Sequence, residues 1–213
     1  SGVNAFGLLE FTISENLDAA KTTRTDELWY QGALSLNLAG KGYDIGEWDA
    51  GKVYDKHQDL TGRVTQKDNA SQKDDHATHV AGTLVGSDSS NQARGMAYKA
   101  DLEAYDWNSD NSEMSTAAGG GLLVSNHSYG PLTGWRFKQS DTAWYWYGTP
   151  SVSQKEDWRF GFYTRDARNW DQIANNAPFY LIVKSAGNER NDDGPTGSNE
   201  HFVRNQQNNW VKS

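Results

Sequence analysis

Residues 73–84 read KDDHATHVAGTL and place two carboxylates and two imidazoles directly before a small, apolar run. The segment HATHVAGTLVG at 76–86 has the residue types of a buried helix, and Gly86 is typical of a helix end. The pattern raises the question of what His76 and His79 do at the start of such a helix.

Four short runs around this helix have the pattern of strands: YDIGEWD at 43–49, ADLEAYDW at 100–107, GLLVSNHSYGP at 121–131 and FYLIVKSAGN at 179–188. The last is the clearest buried strand, because its apolar run is continuous. Two further helices are predicted at 113–121 and 164–178. Strand and helix alternate, which predicts an α/β fold with a parallel sheet and helices on both faces.

Composition excludes several classes of function. The chain has 213 residues and a formal net charge of -8, and it lacks the basic stripe that binding of nucleic acid needs. Its apolar runs are too short to cross a bilayer, so no membrane partner is expected. With no cysteine, it has neither a disulfide framework nor a thiol nucleophile.

Ligands of parallel α/β sheets bind beyond the carboxyl ends of the strands. Here the strand ends carry Asp49, SNHSYG at 125–130 and SAGN at 185–188, which mark the candidate site. Each residue alone is weak support for a catalytic role. An aspartate at a strand end commonly caps a turn, and a histidine at a helix start is commonly solvated. A metal pair of His76 and His79 is disfavoured, because the two-histidine helix signature has a spacing of four with a Glu between.

In combination the motifs are specific. An acid at a strand end is followed by HATHVAGT (76–83), SYG (128–130) and SAGNE (185–189). This order resembles that of the subtilisin-like serine peptidases, or subtilases, and is closest to their extracellular bacterial members. The resemblance covers about Tyr43 to Asn191 and implies a three-layer α/β sandwich around a mostly parallel, doubly wound sheet.

The resemblance assigns a role to each matching residue. Asp49 would be the acid of the catalytic triad, His76 the general base and Asn188 the oxyanion donor. Substrate backbone would pair with Ser128, Tyr129 and Gly130, and the wall of the specificity pocket would be Ala186 and Gly187. His79 inherits no catalytic role and is expected to be a packed histidine. The chain departs from the family pattern at Ala50, usually Ser or Thr, and at Ala77, usually Gly.

A larger departure concerns the nucleophile. The family's catalytic serine lies in a Gly-Thr-Ser-x-Ala-x-Pro-like segment, and no serine of this chain has such surroundings. The resemblance therefore implies the amino-terminal half of a serine endopeptidase domain, a fold incomplete in this chain and inactive alone. The expected partners are a protein or peptide substrate and the carboxy-terminal half, from the same precursor or a second chain.

Two other functions stay open, a pseudo-peptidase and an aromatic-platform module that binds carbohydrate or peptide. The second rests on an insertion rich in Trp and Tyr at 135–163, which has no place in the family core. A cluster of aromatic side chains that fastens a long loop to the body explains the same residues.

The expected domain organisation is a lead-in or propeptide remnant at 1–42 and the peptidase half-domain at 43–213, with a polar surface loop at 190–210. The resemblance also implies secretion. The chemistry requires no cofactor. Asp106, Asp110 and Glu113 are candidates for a structural calcium site or for ordinary surface charge.

Overall fold

A computed structural model describes residues 16–89, 92–188, 194–195 and 199–213, together with the backbone of 2–3 and 9–10. The chain forms two compact units. The first comprises Ser1–Ser128 and Ala177–Lys184, and the second comprises Tyr129–Asn176 and Ser185–Ser213. Within the described ranges, none of the helices has the length and hydropathy of a membrane-spanning segment.

The elements follow one another as β1 (Gly2–Val3), β2 (Leu9–Glu10), α1 (Asn16–Thr23), a 3-10 turn (Asp26–Leu28), β3 (Asp44–Asp49), β4 (Val64–Gln66), α2 (Asp75–Val85), β5 (Asp101–Asp106), α3 (Asp110–Gly119), β6 (Val124–His127), β7 (Trp135–Lys138), β8 (Ala143–Trp146), α4 (Arg165–Asn176), β9 (Leu181–Lys184), β10 (Glu200–Arg204) and β11 (Trp210–Lys212). Each strand and helix predicted from the sequence is present; the strands and α4 are shorter than predicted, whereas α2 and α3 begin one and three residues earlier.

A parallel five-stranded sheet is the centre of the first unit. Its strand order is β4-β5-β3-β6-β9, and every neighbouring pair is parallel. From β3 the chain goes to the edge strand β4 and returns to β5 on one side, and it then adds β6 and β9 on the other side of β3, as in a doubly wound sheet. The predicted α/β class is therefore confirmed. The short edge strand β4 was not predicted, because its three residues carry one apolar side chain only.

Helix α2 covers one face of this sheet. Small side chains on its inner side, such as Ala77 and Ala81, let the helix approach the strands closely. Ile45 of β3 packs against the same cluster from the sheet side. The buried members of this core are Val53, Leu60, Ala77, Ala81, Val85, Ala100, Leu102 and Ala104.

The opposite face is aromatic. The Trp48 ring stacks on Tyr105 of β5 at 4.1 Å and on His127 of β6 at 5.1 Å between ring centroids. Its indole N–H donates to Glu113 of α3 at 3.0 Å, so α3 lies on this face. Gly46 makes room for the ring, because a Cβ there would lie 2.7 Å from Trp48. Helices thus cover both faces, as predicted.

Strand β9 is not the buried strand that its sequence predicts. Leu181 is 62 % and Val183 is 45 % exposed, and both lie on the last strand of the sheet order. A continuous apolar run indicates a strand that needs covering, but it does not say which segment covers it. The prediction of burial was wrong for the described part of this chain.

Residues 16–39 form a second small core together with Met96 and Tyr98. Ala20 of α1, Trp29 and Tyr98 are buried together, and the Trp29 indole N–H donates to the Met96 carbonyl at 3.0 Å. The predicted division at residue 42 stays a prediction.

The second unit contains a four-stranded sheet of order β11-β10-β8-β7. Within it Trp144 and Trp146 are buried, so these two side chains do not form an exposed platform. The buried Asp157 carboxylate accepts hydrogen bonds from the Gly134 backbone N–H and from Arg159, whose guanidinium lowers the pKa of Asp157 to about 2.

The prediction of a surface loop at 190–210 was wrong in part. Strand β10 lies within this range, and β11 begins at its last residue. Residues 190–193 and 196–198 lie outside the described residues.

A buried polar chain joins β6 to the segment before β9. Ser125 Oγ lies 2.8 Å from His127 Nε2 and 2.6 Å from the Tyr180 hydroxyl. Burial, and secondly the charge of Lys184, lowers the pKa of His127 to about 3. His127 therefore stays neutral in the folded chain at pH values where an unfolded chain protonates it.

We expect acid to destabilise the first unit through His127. The unfolded chain takes up this proton below about pH 6.5, the folded chain only near pH 3, so the stabilisation is present above pH 6.5 and is lost as the pH falls toward 3. Urea unfolding at pH 7 and pH 4 should show a smaller acid-induced loss for His127→Phe than for the wild type. Equal losses would show that His127 protonates in the folded state.

Candidate active site

The structure brings Asp49 and His76 together. Asp49 is the last residue of β3, and His76 is the second residue of α2. Asp49 Oδ1 lies 2.7 Å from His76 Nδ1. The Asp49 side chain is 1 % exposed and the His76 side chain is 58 % exposed. The pair therefore joins a buried carboxylate to an accessible imidazole.

This contact selects one form of the imidazole. A carboxylate that accepts at Nδ1 favours the tautomer with its hydrogen on Nδ1, which leaves Nε2 with a free lone pair. The Ala50 backbone N–H also donates to Asp49 Oδ1, at 2.7 Å. Ala50 offers no hydroxyl where the family pattern has one, and Asp49 Oδ2 has no hydrogen-bond partner among the described residues.

A backbone strap fixes the spacing between strand and helix. Lys52 N–H donates to the Gln72 carbonyl at 2.8 Å, and Asp74 N–H donates to the Lys52 carbonyl at 3.0 Å. Gly51 permits this approach, because a Cβ there would lie 2.8 Å from the Gln72 oxygen. The strap explains why a glycine stands two residues after Asp49 in the sequence.

Asp74 starts helix α2 one residue before the first helical residue. Its Oδ1 accepts from the Ala77 N–H at 2.9 Å, which satisfies one free donor of the first turn. Thr78 Oγ1 donates to the Asp74 carbonyl and accepts from the Tyr54 N–H. Ala77 is fully buried, so its extra methyl group fits into the core beside His76.

Glu47 is an acid that the sequence reading missed. It lies two residues before Asp49 on β3 and is fully buried. Burial raises the pKa of Glu47 well above its ordinary value, and the Asp49 charge raises it further. The signal was available in the sequence, because alternation along β3 puts positions 47 and 49 on the same face of the sheet.

The five expected substrate-binding residues and the expected oxyanion donor, Asn188, are divided between the two units. Ser128 lies in the first unit, where its Oγ accepts from Asn126 Nδ2 at 2.8 Å. The other five lie in the second unit: Tyr129, Gly130, Ala186, Gly187 and Asn188. Gly187 has a φ of +94°, which favours glycine. The roles of all six stay predictions.

Comparison with known proteins identifies the family. A sequence model described as Peptidase S8, the subtilase family, matches residues 10–211. The chain belongs to the subtilase family. The family predicted from the HATHVAGT and SAGN motifs is therefore confirmed.

Solved structures similar to this subtilase chain include the serine protease of Aeromonas sobria, with 20 % identity over 81 % of this chain and 30 % of that chain, and a TM-score of 0.49. In the complex of that protease with the chaperone, the identity is 21 % over 76 % of this chain and 27 % of that chain, and the TM-score is 0.47. The subtilase chain thus spans less than a third of the length of these proteins. No curated protein matches it.

Asp74 lies close enough to Asp49 and His76 for the three side chains to be compared with a metal site. Ligand atoms of Asp49, Asp74 and His76 lie within 4.8 Å of one another, the sole such group in the described part of the chain. The contacts already described engage each of them, because Asp49 and His76 contact each other and Asp74 caps the first turn of α2. Asp106, Asp110 and Glu113 form no such group there, and structural calcium stays a prediction.

His79 is exposed, so the expectation of a packed histidine was wrong. It lies on the outer side of α2 and lines a groove of about 530 Å³ together with His57 and Asp59. Because His76 has Asp49 as a partner, the two histidines of the motif differ in environment. This difference makes His79 a useful control for His76.

We expect Asp74→Ala to destabilise the subtilase chain by about 0.5–2 kcal/mol, because the α2 cap is lost. Asp75→Ala is the matched control, since Asp75 lies in the first turn and caps nothing. Urea unfolding at pH 7 measures both changes. An equal loss of stability in the two variants would contradict the capping role.

Proposed function

We propose that this chain is the amino-terminal part of a serine endopeptidase, in which His76 is the general base and Asp49 orients it. The observation that carries the proposal is the 2.7 Å contact between the buried Asp49 carboxylate and Nδ1 of the exposed His76. A subtilase needs this arrangement, with Nε2 left to accept a proton. The serine would come from polypeptide outside residues 1–213.

Hydrolysis would proceed by acyl transfer. His76 Nε2 takes the hydroxyl proton as the serine oxygen attacks the peptide carbonyl carbon. The Asp49 charge stabilises the imidazolium ion, and the proton then passes to the leaving amine. Water repeats the sequence on the acyl-enzyme, with His76 again as base. The side-chain N–H of Asn188 is proposed to donate to the oxyanion. No step requires a cofactor.

The exposed strand β9 supports a contribution from further polypeptide. Leu181 and Val183 are apolar side chains on a parallel strand, and parallel sheets are normally covered on both faces. A carboxy-terminal half that packs on β9 would remove this surface from water. We propose that half as the partner of this chain, whether it belongs to the same precursor or to a second chain.

Protein or peptide substrates are proposed to bind in extended form. Their backbone would pair with Ser128, Tyr129 and Gly130, and a side chain would enter a pocket walled by Ala186 and Gly187. Secretion is proposed with this activity, on the resemblance to extracellular bacterial subtilases.

Labelling by a fluorophosphonate probe tests the proposed function. The full-length protease should be labelled and should hydrolyse peptides, whereas His76→Ala should lose most of its turnover, on the order of a thousandfold or more, because the serine loses its base. His79→Ala is the matched control and should retain turnover. The 213-residue chain alone should not be labelled.

Three results would contradict the proposal. Labelling and turnover that are unaffected by His76→Ala would exclude this histidine as the base. An unlabelled, inactive full-length protein would favour a pseudo-peptidase. Binding of the inactive protein to a glycan array would favour the carbohydrate-binding alternative.

A further inference from the structure

Glu47 and Asp49 leave three buried carboxyl oxygens without partners. Both oxygens of Glu47 and Oδ2 of Asp49 have no hydrogen-bond partner among the described residues. Glu47 is 0 % and Asp49 is 1 % exposed, so water does not satisfy them freely. Buried polar oxygens without donors are costly and are rare in folded proteins.

Strand geometry brings the two acids within reach of each other. Residues 47 and 49 point to the same face of β3, about 6.6 Å apart along the strand. The neighbours of Glu47 across the sheet are Ala104 and Asn126. Ala104 has no polar side-chain atom, and Asn126 directs its Nδ2 to Ser128. Asp49 Oδ2 is therefore the natural partner of Glu47.

The charged groups on this side of the sheet decide which acid keeps a proton. Asp106 of β5 lies opposite Asp49, and Asp74 and His76 are at the start of α2. Asp49 has the His76 ring and the Ala50 N–H to stabilise its charge. Glu47 has no such donors in the described part of the chain. Two adjacent carboxyl groups away from water do not both ionise, so Glu47 retains the proton.

We propose that Glu47 is a positioning residue, whose carboxyl O–H donates to Oδ2 of Asp49 and so holds Oδ1 toward His76. The pair then contains one proton and one negative charge. This hydrogen bond takes the place of the hydroxyl that Ala50 does not supply. The role in turnover rests on the proposed function, whereas the hydrogen bond itself does not.

The raised pKa of the buried Glu47 also predicts that the stability of the fold depends on pH. Above about pH 4.5 the unfolded chain releases the Glu47 proton while the folded chain keeps it, because the pKa of Glu47 is raised in the fold. Stability therefore falls with rising pH, from about 4.5 up to the pKa in the folded state. Relative to Glu47→Gln, the wild type should lose stability between pH 4 and pH 8.

Nuclear magnetic resonance of the 213-residue chain tests the hydrogen bond without any need for activity. The Glu47 carboxyl carbon, assigned by its loss in Glu47→Gln, should have the shift of a protonated acid at pH 7. Ring nitrogen shifts of His76 should show the Nδ1–H tautomer in the wild type and in Glu47→Gln. In Glu47→Leu, which has no donor, they should move toward a mixture of tautomers.

Kinetics of the full-length protease test the positioning role. Glu47→Leu should lower kcat by about tenfold or more with little change in KM, because the hydrogen bond to a charged group is lost. Glu47→Gln, which keeps a neutral donor, should restore kcat to within a few-fold of the wild type. A purely structural role would instead lower the yield of folded protein and leave kcat per folded molecule unchanged.

The outcomes separate the two proposals. An ionised Glu47 at pH 7, or unchanged tautomers in Glu47→Leu, would overturn the hydrogen bond even if the protease is active. If Glu47→Leu does not fold, the carboxyl shift of the wild type still decides. An inactive, unlabelled full-length wild type would overturn the proposed function while the resonance measurements remain valid for Glu47.

Discussion

The burial of the Asp49 charge is the constraint on which the rest of this region depends. A carboxylate that is 1 % exposed must be offset by donors or by a counter-charge. The Ala50 N–H and the His76 ring supply these at 2.7 Å each. Both donors are in place only if the chain turns sharply after β3 and α2 starts beside that turn. The strap through Gly51 and Lys52 and the Asp74 cap meet these two requirements.

Much of the fold could be predicted because its signals are local. The helix α2 shows a polar cap, small inner residues and a terminal glycine within thirteen residues, and β3, β5 and β6 show short apolar or alternating runs. The order of these elements along the chain predicts a parallel sheet. Asp49 could be marked as a site residue because it ends a strand of such a sheet, whereas its pairing with His76 was implied by the resemblance of HATHVAGT to the subtilase motif.

Other features depend on contacts that a local pattern does not contain. The apolar run of β9 predicts burial, but exposure is decided by whether another segment packs on it. Strands β10 and β11 lie in polar sequence and form because they pair with the aromatic strand β8 and with each other. Glu47 was missed for a different reason: an acid inside a strand looks like a solvent-facing residue unless its own face of the sheet is known to be covered, here by helix α2.

The position of Glu47 has an energetic implication of its own. An apolar side chain at this point would pack against Ala104 and Ile45 without the cost of burying a carboxyl group. Within the hydrophobic face of β3, a buried acid therefore lowers stability unless it forms a hydrogen bond that an apolar residue cannot form. Asp49 Oδ2 is the acceptor that such a bond requires, and it carries the charge that makes the bond stronger than one between neutral groups. One shared proton thus gives partners to two of the three buried oxygens, Oδ2 of Asp49 and the hydroxyl oxygen of Glu47.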